Sequence, residues 1–101
     1  MKRIIQYKVK PGQGDRNEEL IRAVYAELDR TQPNGLRYAT VRLDDGVTFL
    51  HIVEYVGEGP SPLTGLASFQ KFQDGIADRC QEPPTASQAR QIGSFRMFPA
   101  E

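Results

Sequence analysis

The chain has 101 residues, and its 13 Lys and Arg residues balance its 13 Asp and Glu residues. This length predicts one domain, residues 1–101, and the zero net charge with scattered basic residues argues against a nucleic-acid or anionic-membrane surface. The single cysteine, Cys80, excludes an intrachain disulfide. The sequence also shows no signal peptide and no apolar run of membrane-spanning length. Together these features predict a cytoplasmic protein.

The first two predicted elements are a strand and an amphipathic helix. Arg3 to Val9 alternates apolar with polar residues, which is typical of a strand. Asp15 followed by Glu18 has the pattern of a capping box, and predicts that a helix begins there. The apolar stripe of that helix is Leu20, Ile21, Val24, Tyr25 and Leu28. Pro33-Asn34-Gly35 ends the helix.

A β-hairpin with an unusual second strand comes next. Asp45-Gly46 is a two-residue hairpin signal between strands Leu36–Leu43 and Val47–Val56. The turn predicts a register that opposes Arg42 to Phe49, Thr40 to His51, Tyr38 to Val53 and Leu36 to Tyr55 on one face, and Val41 to Leu50, Ala39 to Ile52 and Arg37 to Glu54 on the other. The second strand is apolar on both faces, so we expect both faces to be covered.

The last third of the chain predicts a helix and a final strand. A helix is expected from near Leu63 or Leu66 to Cys80, with Leu66, Phe69, Phe72, Ile76, Ala77 and Cys80 on one face. Gln73 falls inside this stripe, and Pro83-Pro84 ends the helix. Residues 85–92 fit either a short helical turn or an extended arm. Ser94 to Phe98 is predicted to be the last strand.

The predicted order is β-α-β-β-α-β, which right-handed crossovers turn into a ferredoxin-like α+β fold. Such a fold has a four-stranded antiparallel sheet, with its first and third strands in the centre and both helices on one face. We expect the aliphatic side of the sheet (Ala39, Val41, Leu50, Ile52) to pack under the helices. The mixed aromatic and polar side would then be covered by a second copy of the chain.

His51 is the sharpest candidate for a catalytic residue. It is the only histidine in the chain, and it lies midway along an otherwise apolar strand. An imidazole has a pKa near neutrality, so His51 is suited to act as a general base toward a phenolic ligand. The alternative is a structural histidine whose hydrogen bonds are satisfied by Thr40 or Tyr38.

Four further residues are candidates for binding an aromatic ligand. Tyr7 and Tyr38 have rings that stack and hydroxyls that bond, and Arg42 is suited to hold an enolate or a carboxylate. Gln73 would reach a cavity between helix and sheet. The alternative is that these side chains line an interface or satisfy backbone groups. No metal site is predicted, because no Cys or carboxylate cluster with ligand spacing accompanies the single histidine.

The chain resembles the dimeric α+β barrel superfamily, and most closely the antibiotic-biosynthesis-monooxygenase-like (ABM-like) proteins. The resemblance covers nearly the whole chain. It depends on the element order, on the third-strand sequence Phe49-Leu50-His51-Ile52-Val53-Glu54-Tyr55 and on the second-helix sequence Ala67-Ser68-Phe69-Gln70-Lys71-Phe72. The chain departs from many members at residues 64–66, where they carry a histidine. It also has no tryptophan, on which the haem-degrading members rely.

The resemblance implies a cytoplasmic homodimer and two alternative functions. One is a monooxygenase without metal or flavin cofactor that acts on a small aromatic or quinol-like compound. The other is a dimeric small-ligand-binding or stress-related module without catalysis. An RNA-recognition domain has the same element order, but the basic aromatic motif of that domain is absent from the third strand here.

Overall fold

The structure, a computed structural model, describes residues 2–97. Its elements in chain order are β1 (Lys2–Val9), α1 (Gly14–Thr31), β2 (Leu36–Arg42), β3 (Thr48–Tyr55), a 3₁₀ turn (Pro62–Gly65), α2 (Ala67–Gln73), α3 (Ile76–Arg79) and β4 (Cys80–Ala89). The strands form one antiparallel sheet in the order β2-β3-β1-β4, and the helices pack on one of its faces. The predicted ferredoxin-like fold, with β1 and β3 in the centre, is confirmed.

The hairpin register is also confirmed. Every predicted pair between β2 and β3 is present, from Leu36 opposite Tyr55 to Arg42 opposite Phe49. Asp45 stabilises the turn, because its carboxylate accepts hydrogen bonds from the backbone N–H groups of Val47 and Thr48 at 2.9 and 2.8 Å. This carboxylate therefore anchors the start of β3 as well as closing the turn.

The last strand lies earlier in the chain than predicted. β4 is Cys80–Ala89 and pairs with β1, whereas residues 94–97 form no strand and Phe98 lies outside the described residues. Pro83-Pro84 does not stop the strand, because β4 is at the sheet edge and the two prolines lie in a bulge. The bulge is the register shift between the pairs Gln6–Thr85 and Lys8–Glu82, a position where prolines cost no ladder hydrogen bond.

The predicted second helix is divided into shorter pieces. α2 ends at Gln73 and α3 occupies only Ile76–Arg79, with Gly75 between them at a φ of +76°. A residue without Cβ adopts this left-handed conformation at little cost, so Gly75 allows the chain to turn here. Cys80 consequently begins β4 instead of ending a helix.

The start of α1 differs from the predicted capping box. The helix begins at Gly14, and the cap residue Gln13 makes no side-chain hydrogen bond. The carboxylates of Asp15 and Glu18 instead accept hydrogen bonds from Arg42 of β2, both at 3.1 Å. Because the cap position is Gln13, Asp15 lies inside the first turn, and its carboxylate is free to form a charge-assisted bond with the guanidinium.

The two faces of the sheet are the reverse of the expectation. The face with Tyr7, Phe49 and His51 packs under the helices, where these side chains are at most 3% exposed. The predicted inner set (Ala39, Val41, Leu50, Ile52) lies on the opposite face and is partly exposed. The hydrogen-bonding needs of the inner face explain why this face packs under the helices. α1 carries Asn17 and Tyr25, which bond to the hydroxyls of Tyr7 and Thr40.

We predict that Gly75→Ala lowers the free energy of unfolding by about 1–2 kcal/mol, because alanine must adopt a left-handed conformation there. A Cβ at Gly75 would meet only Arg79 Nη1, at an ordinary 3.6 Å, so the cost comes from the backbone. Urea denaturation measures the change. Gly65→Ala is the matched control, since its Cβ meets nothing within 4 Å, and it should change stability by less than about 0.5 kcal/mol. Equal effects of the two variants would contradict the prediction.

Candidate functional site

A cleft of about 860 Å³ opens between the inner face of the sheet and the segment that carries α2. Its floor and walls are mostly aromatic and aliphatic, and its mouth is polar. The lining includes Ile5, Tyr7, Tyr38, His51, Val53, Tyr55, Leu63, Phe69, Phe72 and Ile76, together with Arg3, Gln70, Gln73 and Asp74. This volume and composition are those of a site for a small organic molecule.

His51 lies at the centre of this arrangement and is 3% exposed. Its ring stacks between Tyr7 and Tyr38, with centroid distances of 5.4 and 5.7 Å and interplanar angles of 17° and 19°. Phe72 of α2 covers it at 5.6 Å in a tilted orientation. The flat faces of the imidazole are thus held by aromatic rings, and its position is set by three strands and a helix.

Both ring nitrogens of His51 have hydrogen-bond partners. Nε2 lies 2.8 Å from the Tyr7 hydroxyl. Nδ1 lies 2.8 Å from the Tyr38 hydroxyl and 2.9 Å from the Thr40 hydroxyl, so both partners named for the structural alternative are present. Tyr25 extends the network through its hydroxyl, 2.8 Å from that of Thr40.

The hydrogen bonds of Tyr7 determine which nitrogen of His51 carries the proton. The side-chain amide of Asn17 donates to the Tyr7 oxygen at 2.9 Å. The hydroxyl proton of Tyr7 then has His51 Nε2 as its acceptor, since leaving a buried donor unpaired costs about 1–3 kcal/mol. Nδ1 therefore carries the hydrogen, which it donates toward Tyr38 and Thr40, and Nε2 holds the basic lone pair.

Asn17 is a site residue that the sequence interpretation missed. It is fully buried on α1, and its Oδ1 accepts a hydrogen bond of 3.2 Å from Nε of Arg79, which is itself buried. A signal was available, because Asn17 stands one turn before Leu20 and Ile21 in the apolar stripe. A polar residue at a core-facing helix position must have a buried partner.

Burial sets the ionisation state of the site. It lowers the pKa of His51 from 6.5 to about 4, because the imidazolium is poorly solvated inside the protein. Burial is also the main cause that raises the pKa of the Tyr7 and Tyr38 hydroxyls. At neutral pH the site therefore contains a neutral imidazole between two protonated phenols. The hydrogen-bonded group of three side chains carries no net charge.

Arg42 is not brought into the cleft. Its guanidinium contacts Asp15, Glu18 and the carbonyl of Gly46, and it lies 5.6 Å from the ring centre of Phe49. It lines a separate small pocket of about 240 Å³ at the start of α1. The structure therefore does not place Arg42 beside His51, since its guanidinium is paired with Asp15 and Glu18.

The mouth of the cleft carries different polar groups. Gln73, at the end of α2, lines the cleft and is exposed there, in the place between helix and sheet expected from the sequence. Arg3 of β1 lies at the same mouth, and within residues 2–97 it makes no ion pair. The sequence did contain a signal that Arg3 belongs to the cleft. Arg3 and Tyr7 are residues i and i+4 of one strand, so their side chains point to the same face.

Residues 2–97 contain neither a metal-binding cluster nor a membrane-spanning helix. No group of three or more His, Cys, Asp and Glu side chains is arranged to hold a metal ion in that part of the chain. Over the same residues, no helix is long and apolar enough to cross a membrane.

The ferredoxin-like α+β fold is shared with solved structures, several of which are named as antibiotic biosynthesis monooxygenases. A proposed antibiotic biosynthesis monooxygenase from Nitrosomonas europaea is 18% identical, with a TM-score of 0.72 over 99% of this chain and 92% of that one. A second antibiotic biosynthesis monooxygenase is 20% identical, with a TM-score of 0.67 over 91% and 98% of the two chains. SnoaB of Streptomyces nogalater, a cofactor-independent oxygenase solved as a point mutant, is 15% identical, with a TM-score of 0.61 over 89% and 92%.

These likenesses concern the fold. No model of a known protein family and no curated protein matches the sequence. The chain has the fold of the ABM-like proteins, and the resemblance inferred from its strand and helix motifs is confirmed at that level.

We predict that stability falls as the pH drops from 6.5 toward 4, and that His51→Gln removes much of this dependence. The unfolded chain binds a proton at His51 near pH 6.5, whereas the folded chain does so only near 4. The folded state therefore loses up to about 3 kcal/mol across that interval. Urea denaturation at several pH values measures the effect.

The comparison between the wild type and His51→Gln isolates this contribution from those of the carboxylates. Hydrogen bonds also lower the pKa of Glu18, Glu27 and Asp45, but these groups are present in both proteins. Parallel stability curves for the two proteins between pH 6.5 and 4 would contradict the assigned burial of a neutral His51.

Proposed function

We propose that the protein is a cofactor-independent monooxygenase that acts on a small aromatic or quinol-like compound bound in the cleft. The observation that carries this proposal is the position of His51, whose buried imidazole lies between two phenols at the floor of a cleft of about 860 Å³. The aromatic lining suits a planar ligand, because rings stack on rings in offset or edge-to-face geometries. SnoaB, which shares the fold, is a cofactor-independent oxygenase.

The reaction balances without an external reductant. A substrate methylene activated by a phenol or quinol, R₂CH₂, loses a proton to give a carbanion. The carbanion passes one electron to O₂, and recombination forms a peroxide. Loss of water then yields the ketone: R₂CH₂ + O₂ → R₂C=O + H₂O. The substrate is the reductant, so the protein has to supply proton transfer and a pocket with little water.

His51 is proposed as the base in this reaction, and Tyr7 as its link to the ligand. The basic lone pair of His51 is on Nε2, which the Tyr7 hydroxyl covers. Tyr7 takes a proton from the ligand as it gives its own to Nε2. The charge that develops on the ligand raises the pKa of His51 from about 4 at that moment, because a nearby negative charge favours the imidazolium.

Tyr38, Gln73 and Arg3 are proposed to place the ligand. The Tyr38 ring forms a wall beside His51, and its hydroxyl is able to donate to a ligand oxygen, since its raised pKa keeps it protonated. Gln73 and Arg3 lie at the mouth and suit the polar or acidic end of a ligand. Arg3 takes over the role that the sequence had suggested for Arg42.

One observation favours the second candidate function, a ligand-binding module without catalysis. Both nitrogens of His51 are satisfied inside the protein, and its pKa of about 4 makes it a weak base in the empty site. In this case the network would only shape the cleft, and the protein would bind its ligand without converting it.

Oxygen uptake with a panel of quinols and anthrone-type phenols tests the proposal. We expect turnover by the wild type and a loss of about 10²-fold or more in kcat for His51→Ala, which removes the base. Tyr7→Phe should lower kcat similarly, because it interrupts the path to Nε2. Tyr38→Phe should mainly raise KM. Arg42→Gln is the control, since Arg42 lies outside the cleft, and it should leave both constants unchanged.

The outcomes separate the two candidate functions. Ligand binding detected by calorimetry without oxygen uptake would favour the binding module. Equal oxygen uptake by the wild type and His51→Ala would contradict the role of His51 as the base.

We also propose a homodimer that forms through the outer face of the sheet. Ile4, Ala39, Val41, Leu50 and Ile52 make a continuous aliphatic surface there, and no element of residues 2–97 covers it. Monomers seldom expose such a surface, and a two-fold dimer is the commonest way to bury it. A cytoplasmic location stays a prediction from the sequence.

Light scattering at micromolar concentration should give twice the mass of the chain. Leu50→Lys should shift the protein toward monomer, because it places a charge in the centre of the outer face. A monomeric mass for the wild type would contradict the dimer.

A further inference from the structure

We infer that Arg79 and Asn17 are positioning residues that set the tautomer of His51 from outside the cleft. They form a directional series of hydrogen bonds, Arg79 to Asn17 to Tyr7 to His51. The series begins in α3, crosses α1 and β1, and ends on β3. Neither Arg79 nor Asn17 lines the cleft, so both act through other side chains.

Arg79 is the fixed end of the series. Its guanidinium can only donate hydrogen bonds, and it does so to the carbonyls of Phe72 and Asp74 at 2.7 and 3.1 Å as well as to Asn17. Those carbonyls are at the end of α2, where a cation is favourable. Within residues 2–97 it makes no ion pair. A buried cation held by three neutral acceptors has little freedom to turn.

Arg79 determines the orientation of the Asn17 amide. Because Arg79 Nε donates, the atom of Asn17 that faces it must be the oxygen. The NH₂ group must then point to Tyr7, whose oxygen accepts and whose proton goes to His51 Nε2. The direction of each bond follows from the one before it. The series ends by placing the hydrogen of the imidazole on Nδ1.

An isosteric substitution should reverse the last two bonds. In Asn17→Asp one carboxylate oxygen still accepts from Arg79, and the other accepts the hydroxyl proton of Tyr7. The Tyr7 oxygen then becomes the acceptor for Nε2–H, and Nδ1 accepts from Tyr38 or Thr40. Every group keeps a partner, and the new charge is paired with Arg79, so the variant should fold. The tautomer should change to Nε2–H.

The catalytic consequence depends on the proposed function, whereas the tautomer itself does not. With Nδ1–H, the basic nitrogen is the one that Tyr7 connects to the ligand. With Nε2–H, that path is closed, and the lone pair faces Tyr38 and Thr40 instead. Asn17→Asp should therefore lower kcat by about 10-fold or more and change KM little, because the cleft lining is intact.

Nitrogen-15 NMR of the imidazole tests the inference without any ligand. His51 is the only histidine, so its two ring nitrogens give unambiguous signals, and the bare nitrogen resonates far from the protonated one. At pH 7 we expect Nδ1–H to exceed Nε2–H by about tenfold or more in the wild type. We expect the opposite preference in Asn17→Asp. Asn34→Asp, at an exposed position, is the matched control and should retain Nδ1–H.

Arg79→Met supplies a second, independent comparison. Without Arg79 the Asn17 amide can rotate, and both tautomers should be populated in a protein whose fold is verified by circular dichroism. The inference is overturned if folded Asn17→Asp keeps the wild-type tautomer, or if the wild type is Nε2–H. If the tautomer reverses but no variant consumes oxygen, the positioning role stands and the proposed oxygenase function fails.

Discussion

The organisation of this protein depends on one buried imidazole whose hydrogen bonds must all be made inside the fold. His51 is 3% exposed, and an unsatisfied nitrogen there would cost about as much as a lost hydrogen bond. Its partners are hydroxyls from β1 and β2, so the imidazole connects the two strands that flank β3. The side of the sheet that carries these hydroxyls consequently has to be the one covered by α1 and α2.

The same requirement explains why the core of such a small domain contains several buried polar side chains. Asn17 and Arg79 would each be costly in an apolar interior, but each satisfies the other and a further group. Such a network gains less stability than an apolar core of the same volume. What it provides is a defined direction for the hydrogen bonds that run from Arg79 through Asn17 and Tyr7 to His51. That property is of value in a catalytic site and is not needed by a core that only has to be stable.

The fold and the cleft support the functional proposal in different ways. A ferredoxin-like fold hosts many functions, so the likeness to the monooxygenase structures establishes the architecture alone. The argument for oxygenation comes from the site: an aromatic cleft, a neutral imidazole at its floor and two phenols hydrogen-bonded to that imidazole. This chemistry suits a substrate that serves as its own reductant. The aliphatic outer face is independent of the cleft, and its role in assembly is a separate question.

The sequence by itself determined the elements whose signals are local. The Asp45-Gly46 signal predicted the register of β2 and β3 pair by pair, because the point at which the chain reverses sets which residues face each other. It also singled out His51, Tyr7, Tyr38 and Gln73, which the fold brings to one cleft.

The tertiary structure decided what depends on partners distant in the chain. It decided which face of the sheet is inside, because Asn17 supplies hydrogen bonds that no local pattern reveals. It placed β4 across Pro83-Pro84, because a bulge against β1 accommodates them, and it took Arg42 out of the site, because α1 presents two carboxylates to it. Local periodicity cannot report these choices, since each is a competition between contacts that exist only after the chain has folded.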